Sequence, residues 1–189
     1  MFTGIITHTS KVIEIDLSQN KLIIVNKFND LSTGMSICVD GACMTVSNYD
    51  KRSITFVLSE ETISRTIIKN YKKNALVNLE LPVKNDSLFS GHIVLGHVDD
   101  TGTINEIKVV KNNLWDFYLS TVDETYIIDK GSITINGISL TTNLLSDKLF
   151  YVSIIPETFN NTNLMTANEN DEVNIEYDII GKYVYKFSK

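Results

Sequence analysis

The chain has 189 residues, with 17 Lys and Arg against 23 Asp and Glu, a formal charge of −6 and 43% hydrophobic residues. That balance, with no block of Lys or Arg, argues against a nucleic-acid surface, and no apolar run is long enough to span a bilayer. The opening Met1-Phe2-Thr3-Gly4-Ile5-Ile6 has neither a basic region nor a signal-peptide core, so a cytoplasmic protein is expected, with Cys38 and Cys43 as free thiols rather than a C-x-x-C redox or zinc pair.

In chain order, strands are expected from about Ile5 to Ile15, at Lys21 to Val25, Ser36 to Val39, Met44 to Ser47 and Ser53 to Leu58. All are short, rich in β-branched residues and punctuated by Asn, Asp, Gly and Lys. Ser59 then suits the cap of a short helix with Glu60 and Glu61 in its first turn, although Thr62 stands where a capping box would carry Glu or Gln. A sixth strand follows at Ala75 to Leu81. The polar cluster Lys84-Asn85-Asp86-Ser87 marks a boundary, giving domains 1–86 and 87–189.

Beyond that boundary the chain repeats itself. Ser36-Ile37-Cys38-Val39-Asp40-Gly41-Ala42-Cys43-Met44-Thr45-Val46 recurs 96 positions later as Ser132-Ile133-Thr134-Ile135-Asn136-Gly137-Ile138-Ser139-Leu140-Thr141-Thr142. The same offset carries Glu61-Thr62 onto Glu157-Thr158 and Val77-Asn78-Leu79-Glu80 onto Val173-Asn174-Ile175-Glu176. Gly4, Thr9 and Glu14 match Gly96, Thr101 and Glu106 at an offset of 92, so the second copy has gained four residues, around Asn112 to Thr125. Pro156 suits the first turn of the second helix, and Ile179 to Phe187 reads as a short amphipathic tail, helical or extended. A unit this long exceeds the roughly 20 to 50 residues of solenoid and propeller repeats. The expected fold is mainly β: two tandem, closed, six-stranded barrels with short helices and a short C-terminal tail, closure removing the exposed strand edges.

Six segments, in this order, carry a resemblance: Met1-Phe2-Thr3-Gly4-Ile5; Asp40 to Val46; Gly91-His92-Ile93-Val94-Leu95-Gly96-His97-Val98-Asp99; Lys130-Gly131-Ser132-Ile133; Asn136 to Thr141; and Ile155-Pro156-Glu157-Thr158. Together they closely resemble the riboflavin synthase alpha-chain family along essentially the whole chain. The resemblance implies two similar barrels, each binding one 6,7-dimethyl-8-ribityllumazine. It implies a dismutation in which one lumazine donates a four-carbon unit to the other, giving riboflavin and 5-amino-6-(D-ribitylamino)uracil, with no metal and no organic cofactor. It further implies a homotrimer in which the first barrel of one subunit faces the second barrel of a neighbour, and it raises lumazine synthase as an associated protein. A duplicated barrel suits such a reaction, because two identical substrates need two similar pockets that hold them in reactive geometry.

Residue by residue, the resemblance implies the following roles. Gly4-Ile5-Ile6 and Gly96-His97-Val98 are similar to the pterin-contacting strands, where glycine lets a flat heterocycle approach the backbone; a bulge at a barrel corner is the structural alternative. Cys43-Met44-Thr45 and Ser139-Leu140-Thr141 form the second matched pair, with alternation placing Cys43 and Thr45 on one strand face and Ser139 and Thr141 on the corresponding face. Without the resemblance Cys43 would read as a small core residue, as Cys38 does. Ser59-Glu60-Glu61-Thr62-Ile63-Ser64 and Ile155-Pro156-Glu157-Thr158-Phe159-Asn160 match the ribityl-binding segment, whose alternative is an ordinary capped turn. Lys130 aligns with a basic ligand contact near the second pocket, or is a surface lysine before a strand. Phe2 packs against the bound ring or closes the barrel. His97, Cys43, Ser36 and Asp178 match active-site positions, and His97, Ser36 and Cys43 are expected to handle proton transfer or to supply the transient nucleophile. His97, Ser139 and Thr141 are expected to form the polar set of the second half. His92 and His97, five apart, should face opposite sides of a strand and so share no metal.

Two departures stand out. Asn136 replaces an Asp common in the family, and the residues after the second barrel are fewer than those of the longer C-terminal helix that helps three subunits assemble, so weaker association is expected. Two other functions compete. A non-catalytic lumazine- or flavin-binding protein of the same fold tends to lose the polar set of one half, whereas both sets are present in this chain. A flavin-dependent reductase lacks support because no nicotinamide-binding glycine motif occurs.

Overall fold

Alternating burial along several strands closes each half on itself. In β2 (Lys21–Val25) Leu22 and Ile24 point inward, in β5 (Ser53–Val57) Ile54 and Phe56 do, and the same period sets Phe150, Val152 and Ile154 of β11 (Leu149–Ile154) inside the second half. The computed structural model describes residues 1–84, 88–146 and 148–189. The expected boundary between Asp86 and Ser87 lies outside the described residues.

With β1 (His8–Asp16), β3 (Ser36–Val39), β4 (Ala42–Tyr49) and β6 (Leu76–Glu80), the first half is a closed barrel in the order β1-β2-β5-β4-β3-β6. The second half has the same order with β7 (Asp100–Val110), β8 (Leu114–Ser120), β9 (Ser132–Ile135), β10 (Ile138–Ser146), β11 and β12 (Glu172–Tyr177). Even the ladder irregularity recurs, between Val12 and Glu14 in β1 and between Ile104 and Glu106 in β7. The residues gained by the second copy lengthen its first hairpin: β7 and β8 have 11 and 7 residues, β1 and β2 have 9 and 5.

The helices follow the sequence signals. Ser59 caps α1 (Glu60–Arg65) by accepting from Thr62 N at 3.0 Å, and Pro156 opens α2 (Pro156–Asn161). The tail is helical: α3 spans Ile179–Phe187 and is capped by Asp178, whose carboxylate accepts from Ile180 N at 2.9 Å. Two strands depart from expectation, with β4 running two residues further at each end than Met44 to Ser47. β1 begins at His8 rather than Ile5, because the preceding residues bond outside the β1 ladder, as described below.

The barrels meet through a polar seam. The hairpin turns Asp40-Gly41 and Asn136-Gly137 have positive φ at both central residues (46° and 84°, 46° and 79°), the geometry of a type I′ turn, which needs glycine at its second position. The two turns abut so closely that a Cβ on Gly41 would lie 2.9 Å from Gly137 N. Around them Asn78 accepts from Asn163 N at 2.7 Å and donates to Asn136 O at 2.9 Å. Its counterpart Asn174 accepts from Ile67 N at 2.8 Å and donates to Asp40 O at 2.7 Å. All are buried, so each bond also satisfies a group that would otherwise be stranded away from water.

Candidate active site

On β4 alternation sends Ala42, Met44 and Val46 inward and leaves Cys43 and Thr45 on the outer wall. Met44 is therefore a core side chain of the first barrel, and Leu140 packs likewise on the second core. In the adjoining ladders Ser36 pairs with Thr45 and Cys38 with Cys43, while Ser132 pairs with Thr141 and Thr134 with Ser139. Each barrel thus carries a patch of small polar groups on its outside. Both cysteines are free.

A glycine segment from the other half of the chain lies over each patch. Phe2 and Val94 form an antiparallel bridge, with Phe2 N donating to Val94 O at 2.7 Å and Val94 N to Phe2 O at 3.2 Å. Phe2, Cys38, Val94 and Cys43 pack together there. From that point the two leading segments cross. Gly4 O accepts from Ser139 N of the second barrel at 2.8 Å, and Ile6 packs on the second core. Gly96 O accepts from Cys43 N of the first barrel at 2.8 Å, and Val98 packs on the first core. A Cβ on Gly4 would sit 2.6 Å from Ser139 Cβ, and one on Gly96 would sit 2.7 Å from Cys43 Cβ; both glycines have φ near the left-handed region (79° and 77°). His97 therefore joins Cys43 and the first barrel. The grouping of His97 with Ser139 and Thr141 is corrected: sequence position assigns it to the second half, but the carbonyl of the preceding Gly96 is bonded across to Cys43 and His97 lines the cavity beside the first barrel.

Two buried carboxylates hold the crossing. Glu80, at the end of β6, accepts from Thr3 N, Thr3 Oγ1 and Gly4 N at 2.7, 2.9 and 2.9 Å. Glu176, at the same place in β12, accepts from Leu95 N, Gly96 N and His97 N at 2.7, 2.9 and 3.1 Å. Burial pushes both above the ordinary carboxylate range, Glu176 to about 7, and their hydrogen bonds oppose that rise.

Beside the first patch lies a cavity of about 340 Å³ lined by Cys43, Ser59, Glu61, Thr62, Gly96, His97 and Val98. Ser59 and Thr62 hydroxyls lie 2.9 Å apart at the start of α1, Ser64 donates to Glu61 O, Glu60 is exposed and Ile63 packs on the first core. A larger groove of about 710 Å³ opens between the barrels over Asp40, Tyr71 and Asn163, and includes none of the candidate residues. It is the open side of the polar seam rather than a complement to the motif set.

At the second patch His92 Nδ1 is 2.7 Å from Ser139 Oγ, and its Nε2 is 3.3 Å from Thr134 Oγ1. Burial lowers the His92 pKa below the usual imidazole range, and the charge of nearby Asp178 opposes this. Along α2, Ile155, Pro156, Glu157 and Asn160 are exposed and Thr158 is half-buried, so these residues are accessible. Phe159 instead turns inward, stacked on Trp115 with ring centroids 4.0 Å apart. Ile5, Thr45 and Thr141 are exposed. Lys130 sits in a left-handed turn and donates to the Asn143 side chain, and it is not among the residues lining the two described cavities.

Sequence reading missed His92, Glu80 and Glu176. A signal for the two glutamates was present: a charged residue closing the same apolar strand in both copies, where both strand faces must be covered. His92 has no counterpart in the first copy, since an offset of 92 falls before Met1, and only the crossing brings it to Ser139.

Comparison with known proteins agrees with this geometry. The model of the lumazine binding domain matches residues 3–82 and 95–178. Riboflavin synthase of Actinobacillus pleuropneumoniae is 41% identical over 194 residues, covering 99% of this chain and 89% of that protein. The riboflavin synthases of Bacillus amyloliquefaciens and Chlamydia muridarum are 38% and 37% identical, covering 99% and 96% of this chain and 89% and 92% of their own lengths. Among solved structures, LumP complexed with riboflavin superposes with a TM-score of 0.83 at 21% identity, covering 94% of this chain and 99% of that one, a likeness of fold. Two lumazine-binding domains and relatives aligned end to end make the chain a member of the riboflavin synthase family.

Proposed function

We propose that the protein is a riboflavin synthase, which converts two molecules of 6,7-dimethyl-8-ribityllumazine into riboflavin and 5-amino-6-(D-ribitylamino)uracil. The observation that carries this reading is the full-length match to riboflavin synthases on a chain whose two halves both keep a polar wall beneath a glycine segment. A bimolecular step between two copies of one substrate gains most from two pockets that fix both partners. In this reading His97, Cys43 and Ser36 serve the first pocket in proton transfer or as the transient nucleophile, and Asp178 and Ser139 serve the second. The starts of α1 and α2, with Ser59, Thr62 and Thr158, hold the ribityl chains. Phe2 supports the ring through the bridge with Val94.

Assembly as a homotrimer is part of the proposal. On α3 Ile180, Tyr183, Val184 and Phe187 follow the i, i+3, i+4, i+7 spacing, and all four are exposed, an apolar stripe suited to other copies. The stripe is short, so association is expected to be concentration-dependent. Cytoplasmic location and association with lumazine synthase complete the proposal.

The second reading is a non-catalytic lumazine carrier, and the fold likeness to LumP favours it. Incubation of purified protein with 6,7-dimethyl-8-ribityllumazine alone, followed by riboflavin absorbance at several protein concentrations, separates the two. Turnover with specific activity that rises with concentration supports the enzyme and the weak trimer. Tight binding without riboflavin formation overturns the enzyme.

A further inference from the structure

We propose that the two buried glutamates are crossed positioning residues: Glu176 of the second barrel builds the ligand site of the first barrel, and Glu80 of the first barrel builds that of the second. The proposal rests on the two-site reading above and goes beyond it by saying which residue controls which site.

Glu176 touches nothing in the first cavity itself. Its two oxygens take the N–H groups of Leu95, Gly96 and His97, three consecutive donors, so the backbone there is forced into one arrangement. That arrangement aims Gly96 O at Cys43 N and sets His97 and Val98 along the cavity wall. Glu80 does the same for Thr3 and Gly4, aiming Gly4 O at Ser139 N. Hydrogen bonds to a carboxylate are shorter and stronger than neutral ones, and neither glutamate is more than 3% exposed, so water does not replace a lost bond. A buried carboxylate that accepts three donors, at the same register in both repeats, is costly to keep unless the held segment matters. The crossing makes the prediction distinctive, since damage in one barrel should appear as lost binding in the other.

Cys43 gives a site-specific reporter, because it lines the first cavity while Cys38 is buried. Riboflavin is the probe, with iodoacetamide labelling of Cys43 read by peptide mass and total binding read by riboflavin fluorescence. In the full-length wild type, riboflavin should protect Cys43. Glu176→Gln keeps one acceptor oxygen of two, and protection should require about tenfold more riboflavin or beyond, while a second binding event keeps its wild-type affinity. Glu80→Gln should do the reverse, leaving Cys43 protection intact and weakening the other event. If Glu176→Gln does not fold, Glu176→Asp draws the oxygens back by one methylene with the charge kept, and the same selective loss is expected.

Unchanged Cys43 protection in a folded Glu176 variant overturns the proposal. So does equal weakening of both sites by each variant, which is what a merely structural role would produce. A wild type whose Cys43 is protected but which makes no riboflavin overturns the enzyme reading and leaves the crossed positioning standing. A wild type with no protection removes the first site and the proposal with it.

Discussion

The first and second barrels share strand order, ladder bulge, hairpin turn, glycine segment and glutamate, yet their walls differ in chemistry. The first offers the Cys43 thiol beside exposed His97 and a cavity running to α1. The second offers the Ser139 hydroxyl pinned by half-buried His92, with Phe159 drawn inward onto Trp115. Duplication preserved the backbone frame, which tolerates little change because each glycine and amide is engaged across the seam. Side chains on the outer wall were freer to diverge. In a reaction where one substrate gives a fragment and its twin receives it, two similar frames with different reactive groups are a sensible outcome.

The most damaging test of that equivalence of frame is Gly96→Ala against Gly4→Ala. Each adds a Cβ under 3 Å from the facing residue at a left-handed φ, so riboflavin formation should fall by about 100-fold or more in both. A large loss in only one would show that the frames are not equivalent. Next in size is the seam. Asn78 makes three side-chain bonds and Asn174 makes two, so Asn78→Ala and Asn174→Ala should each lose about 2 to 4 kcal/mol in urea unfolding from the stranded partners. A markedly unequal loss would show that one barrel dominates the interface.

A smaller effect is expected where the walls differ. His92→Ala and Ser139→Ala should each lower kcat/KM about tenfold, and the double variant should be no worse than Ser139→Ala, because His92 acts through the hydroxyl. Additive losses would give His92 a separate role. A further effect, read in pH rather than in rate, concerns Asp40, whose equivalent in the second copy is Asn136. Burial raises the Asp40 carboxyl from 3.8 to about 7 against the opposing bonds from Tyr71 and Asn78. The folded state then holds that proton more tightly than the unfolded state, so its contribution to stability is full below about pH 4 and is lost as pH rises through about 7. Asp40→Asn should flatten unfolding midpoints across that window and make the first turn behave like the second.

The barrels were legible in the sequence because the period-2 pattern and the 96-residue repeat act locally and redundantly. Ser59, Pro156 and the Asp-Gly and Asn-Gly turns announced their own geometry for the same reason. The site was legible only as segments. That Gly96-His97 serves Cys43, and Gly4 serves Ser139, depends on a bridge between residues 2 and 94 that no periodicity encodes. The apolar character of Ile6 and Val98 gave no hint of which barrel each would enter. Glu80 and Glu176 looked like strand-end charges until the crossing buried them.

In the proposed homotrimer, one first-barrel site and one second-barrel site from neighbouring subunits act as a pair. Gly96→Ala disables the first site and Gly4→Ala the second, so the two variants can be mixed after subunit exchange. Random assortment leaves about a quarter of the facing pairs with both sites intact. The account predicts that two nearly inactive proteins regain riboflavin formation to about that fraction of wild type. No regain from demonstrably mixed oligomers would contradict it.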